Sequence, residues 1–248
     1  MALQGSGNPI SFGQIRAEFG NGQNRLGQYR RDDSSFTNKS PGTFSNLPLD
    51  TGVPTSGTIK FSNFYSKKLN IVVDCHSGSN ETRGNARTKY NASPSSTGNS
   101  SGNWNVVGGY ANAPADSSGK RVYINVNKRF KATDDCASED TSRVALNTGS
   151  WQTGTELSVD VGSSGKILGA GGQGGGGGNW SDDGNGGEDG SHGLGIAYGT
   201  DANETIVNVA SGGMIVCGFG GGGGGAGRRQ FDEGEEEDKR AGGGGGGG

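Results

Sequence analysis

Hydrophobic and polar positions alternate in short bursts along this chain. The clearest is Arg121-Val122-Tyr123-Ile124-Asn125-Val126, where Val122, Ile124 and Val126 recur every second residue, the period of a half-buried strand. Leu69 to Val73, Trp104 to Val107 and Ser142 to Leu146 are also short, rich in β-branched or aromatic residues, and bounded by Gly, Ser, Asn and Asp. Together they predict antiparallel strands in a β-sandwich-like domain over residues 69–164. Before it, Ile10-Ser11-Phe12-Gly13-Gln14-Ile15-Arg16 and Ile59-Lys60-Phe61-Ser62-Asn63-Phe64-Tyr65 match in type at an offset of 49. Each predicts a short strand and then a helical turn, such as Gln14 to Phe19. Residues 1–68 are thus expected to form a small irregular module that leans on a partner, because about 65 residues is near the lower limit for independent folding.

The strongest internal repeat lies further on. Val159-Asp160-Val161 to Ile167-Leu168 aligns without a gap, at an offset of 48, with Val207-Asn208-Val209 to Ile215-Val216. Each copy predicts a strand, a tight turn and a second strand, followed by a glycine run. Of the runs at 174–178, 220–225 and 242–248, the first two follow these matched pairs. A linker has no reason to repeat with its flanks, so the runs are read as stacked polyglycine type II helices with about 3.1 Å rise per residue. Neighbouring backbones would then pair their N–H and C=O groups. The packing positions are Gly175, Gly176, Gly177, Gly221, Gly222, Gly223 and Gly224. The expected fold is mainly β with irregular segments: module 1–68, β-sandwich-like spacer 69–164 and glycine-rich tip 165–248.

Composition sharpens this division. The chain has 248 residues, 53 of them glycine, and only 28% are hydrophobic. The net charge of -3 is too small for the usual signature of disorder, and 34 of the glycines fall in the last 84 residues. The glycines lack a strict three-residue period along the chain and there are only 6 prolines, which excludes collagen. No apolar run of about 18 residues is present, and Met1 to Gly7 lacks the features of a secretory signal. Charge falls from +4 in residues 1–68 through 0 to -7 in residues 165–248.

Catalytic and metal-binding motifs are weak. A GxGxxG match within 171–178 is trivial in a glycine run, and His76 and His192 have no evident oriented partner. Asp182 to Asp189 fails the EF-hand spacing, and Cys75, Cys136 and Cys217 are too far apart for a CxxC site. Asp232 to Asp238 reads as a solvated charge run or a contact for a cationic or hydroxyl-rich ligand. No enzyme, cofactor or metal is expected.

The two Val-x-Val units, each running through Gly165-Lys166-Ile167-Leu168 or Gly213-Met214-Ile215-Val216 into polyglycine, resemble the distal adhesins of T-even-type phages. The patches Ile10 to Gly20 and Pro54 to Tyr65 resemble a module that opens many phage virion structural proteins. That resemblance implies a tail-fibre or tail-tip protein located in the virion tail after assembly in the host cytoplasm. Ile10, Phe12, Ile15, Phe19, Ile59, Phe61, Phe64 and Tyr65 would attach it to the virion. Trp180, Asp182, Asp183, Tyr198, Arg228, Arg229 and Phe231 would contact a bacterial cell-surface receptor, protein or polysaccharide. The implied partners are that receptor and other tail or virion proteins, without nucleic acid or membrane insertion, and a homotrimer and a monomeric tip cap both stay open. The alternative reading is a structural neck, capsid-decorating or tail-assembly protein whose glycine-rich region packs against other subunits.

Overall fold

In the computed structural model, a Ser11 cap starts the first helix, α1 (Phe12–Phe19). Gln14 N–H donates to Ser11 Oγ at 3.2 Å and Ser11 N–H donates to Gln14 Oε1 at 2.7 Å, so two otherwise orphaned donors are satisfied reciprocally. Gly20 ends the helix at φ 101°, a conformation that favours glycine. Ile15 and Phe19 pack with Tyr29, Leu49, Phe64 and Leu69 into a first apolar cluster, and the Phe61–Phe64 turn closes it. The structure describes residues 3–20, 25–31, 49–75, 81–82, 84–88, 99–101, 104–107, 117–132, 144–178, 184–196, 205–223, 228–232 and 235–239.

Beyond this module the chain winds through three sheets in repeated passes. The first pass comprises β1 (Asn70–Cys75), β2 (Glu81–Thr82) and β3 (Gly84–Asn85). A two-strand insertion follows, β4 (Asn99–Ser101) and β5 (Trp104–Val107). The second pass is β6 (Arg121–Val126), β7 (Arg129–Lys131) and β8 (Leu146–Asn147), and the third is β9 (Glu156–Val161), β10 (Lys166–Leu168) and β11 (Leu194–Gly195). Then come β12 (Thr205–Val209), β13 (Met214–Val216) and a hairpin of β14 (Arg228–Asp232) and β15 (Glu235–Lys239).

Equivalent strands of successive passes pair in parallel. The six-stranded sheet runs β12-β9-β6-β1-β5-β4, the four-stranded sheet β13-β10-β7-β2 and the three-stranded sheet β11-β8-β3. Only the β1–β5 and β4–β5 pairs of these sheets are antiparallel. The inward faces form one core with columns such as Val73–Ile124–Val159 and Cys75–Val126–Val161. The offset-48 repeat is the register of this stack: Val159 lies beside Val207 and Ile167 beside Ile215.

The expected fold class is therefore corrected. The chain forms a mixed α/β domain with three largely parallel sheets, not a β-sandwich with a separate tip of stacked polyglycine helices. Period-two alternation serves parallel and antiparallel strands alike, so it could not reveal that the partner of β6 is a strand one full pass away. The glycine segments belong to the same body, since 169–176 continues β10, 217–222 continues β13 and 185–193 leads into β11.

A polar seam joins the helical module to the sheets. Glu18 Oε1 accepts from Leu69 N–H at 2.7 Å and from Lys120 Nζ at 2.8 Å. Beside them, Arg121 reaches Asp50 at 3.1 Å and Glu156 at 3.0 Å, and Lys68 reaches Glu156 at 2.6 Å. Burial pushes the Glu156 carboxyl up, but Lys68 and Arg121 overcome this and hold it below its ordinary value.

Candidate functional site

The parallel stack ends in an open layer. Columns of inward-facing residues end at Val207 and Val209, which are 37% and 48% exposed, whereas Val159 and Val161 directly beneath them are 0% and 1% exposed. β12 and β13 are both terminal strands of their sheets, so among the described residues one edge of each backbone has no neighbouring strand. Ile206, Met214, Val216 and Phe219 extend the exposed apolar surface. A groove of about 380 Å³ runs beside it, lined by Leu168, Met214, Val216, Cys217, Phe219 and the glycines at 169, 171, 172 and 218.

Three glycine-rich segments support one wall of this groove. The N–H groups of Gly169, Gly172 and Gly175 donate to Val216, Phe219 and Gly222, each at 2.8 Å. Gly218 and Gly221 donate in turn to Ser191 and Glu188, and Ser191, Glu188 and Asn185 donate back to Ala170, Gln173 and Gly176. The three segments thus close a triangle of backbone bonds that repeats every third residue. A Cβ at Gly172 would lie 1.8 Å from Glu188 O, and one at Gly221 1.8 Å from Gln173 O. At Gly171 the nearest atom would be 3.7 Å away, and at Gly223 nothing lies within 4 Å. Close backbone approach therefore requires glycine at every third position, with the intervening positions free to vary.

The outward face of the six-stranded sheet carries a polar row, Asp74–Asn125–Asp160–Asn208, one residue from each neighbouring strand. Asp74 and Asn125 are buried, while Asp160 accepts from Asn208 Nδ2 at 2.7 Å and from Ser158 Oγ at 3.3 Å. On the inward side Lys128 Nζ lies 2.6 Å from Glu81 and close to Cys75. Burial raises the Cys75 thiol well above its ordinary value; Lys128 opposes this, and Glu81 and Asp74 add to it. Such a thiol is inert rather than nucleophilic. Among the described residues no group of three His, Cys, Asp or Glu side chains is placed to hold a metal, and no helix is long and apolar enough to cross a membrane.

The sequence-derived residues fall elsewhere. Ile15, Phe19 and Phe64 are fully buried in the first apolar cluster, Ile10, Phe12 and Ile59 pack against it, Tyr65 is half-buried and Phe61 is exposed. Trp180, Asp182, Asp183, Tyr198 and Gly224 lie outside the described residues. Arg228, Arg229 and Phe231 occupy β14, in register with Lys239, Asp238 and Glu236. Gly175 and Gly221 are close-packed positions; Gly222 accepts from Gly175, Gly176 accepts from Asn185, and Gly177 and Gly223 follow in the same segments. The sequence marks the open β12 and β13 as strands but not as a site. The available signal was the second repeat, which is as apolar as the first yet carries the exposed Val207, Val209, Met214 and Val216.

No family model, curated protein or solved structure matches the chain. The resemblance to phage adhesins is corrected on the structure itself: parallel sheets and buried ion pairs form one α/β body, with the glycine segments built into it rather than projecting as a fibrous tip. The tail-protein and host-receptor roles, the alternative virion roles and the virion-tail location rested on that picture and are corrected with it. The expected absence of enzymatic activity is corrected as well, because a parallel-sheet body holding Asp74, Asn125, Lys120 and Lys128 in its interior is an arrangement that also houses catalytic groups.

Proposed function

We propose that the chain is a protein-binding module that takes up a β-strand at the open end of its parallel stack. The observation that carries this reading is the exposure of Val207 and Val209 above a core whose lower layers are closed. In a stacked β architecture the terminal layer needs a cap with a polar outer face. Here the last layer offers apolar side chains and a backbone edge that no described strand covers. An added strand would satisfy both, its backbone giving affinity and its alternate side chains specificity.

A fluorescently labelled peptide with the sequence of residues 205–216 serves as the probe. Saturable binding to dilute protein, weakened at least tenfold by Val209→Lys, is the expected result. Absence of binding, or binding indifferent to that substitution, overturns the proposal.

A further inference from the structure

We infer that the strand taken up is β12 of a second copy of this chain, giving a closed two-fold dimer; this rests on the binding role proposed above for the open end. The first reason is electrostatic. Residues 205–219 contain no charged side chain, so two copies of this surface can meet without like-charge repulsion. Edge strands that must stay single are ordinarily guarded by lysine, proline or a bulge, and Thr205-Ile206-Val207-Asn208-Val209 has no lysine or proline and pairs with β9 without a bulge.

The second reason is topological and selects the symmetry. At the opposite side of the six-stranded sheet β1 is already covered by the antiparallel strands β5 and β4. A head-to-tail array would place the five-residue, largely apolar β12 of one copy on the three-residue polar edge strand β4, Asn99–Ser101, at every step. Two open ends facing each other instead set β12 antiparallel to its equivalent, an isologous contact that uses the same patch twice and closes without forming a fibre. Val207 and Val209 of each copy then cover the exposed end of the other core.

Sedimentation velocity on the full chain, with reductant present, tests this assembly. The expected species has twice the 25.1 kDa chain mass, dissociates on dilution and is reduced to monomer by Val209→Lys with an unchanged circular dichroism spectrum. Should that variant fail to fold, Ile206→Glu on the outward face of the same strand carries the same expectation. A wild-type chain that stays monomeric at all concentrations yet binds the 205–216 peptide overturns the second copy and leaves strand uptake standing. Monomer without peptide binding overturns both, and a dimer that survives both substitutions places its interface elsewhere and also overturns the inference.

Discussion

Glu18 and Lys120 form a buried ion pair at 2.8 Å across the seam between the N-terminal helix and the sheets, with only 6% and 2% of their side chains exposed. The same Glu18 oxygen also accepts from Leu69 N–H, so one carboxylate fixes both the last residue of the helical module's core and the strand-bearing body. Removing one partner leaves the other charge buried. Lys120→Met is expected to lower unfolding free energy by about 3–5 kcal/mol, and combining it with Glu18→Gln should restore part of that loss. Urea denaturation reads both; equal stability of Lys120→Met and wild type contradicts the pair's role.

The three-residue glycine period gives a sharper contrast. Gly172→Ala and Gly221→Ala each drive a methyl group into a backbone carbonyl and should each cost about 1–3 kcal/mol or more. Gly171→Ala and Gly223→Ala meet no such contact and should be nearly neutral. Thermal melting of the four variants checks the pattern, and equal losses at all four positions would refute it.

Acid should loosen the seam. Glu156 has a depressed carboxyl pKa in the folded chain, so its contribution to stability is present above the ordinary value near about 4.3 and fades as pH falls through the lower folded value. Its side chain is half exposed, which limits the effect to under about 1 kcal/mol. Denaturation midpoints followed from neutral to acid pH should fall less steeply for Glu156→Gln than for wild type; parallel curves would remove Glu156 from the account.

Thiol chemistry separates interior from edge. Cys75 is buried with a raised pKa, and Cys217 is exposed beside the groove. Iodoacetamide applied to native protein should label Cys217 and spare Cys75, as peptide mass spectrometry would report. Labelling of Cys75 before unfolding would contradict the closed core.

The longer strands of the stack, such as β1, β6, β9 and β12, were legible in the sequence, while the short β2, β3, β7 and β11 and the partners of all of them were not. Val122, Ile124 and Val126 announce a strand by alternation, but the same pattern suits either pairing direction, and the parallel neighbour Leu157–Val161 lies 35 residues on. The offset-48 repeat was visible and is the stacking register itself, although nothing in it says that the copies lie side by side. The local glycine period, at 169, 172 and 175 and again at 187, 190 and 193, is hidden in the sequence by extra glycines between the required ones and lies only in how closely the neighbouring backbone approaches each position. The seam was the least legible feature, because Glu18 and Lys120 are 102 residues apart and no pattern in the sequence links the two.

The binding role of the open end is tested most directly by hydrogen exchange at the backbone amides of residues 205–209 as the full chain is concentrated. The amides directed away from β9 should exchange freely in dilute protein and become protected at high concentration or on adding the 205–216 peptide. Equally fast exchange of those amides under all three conditions would contradict strand uptake at this edge.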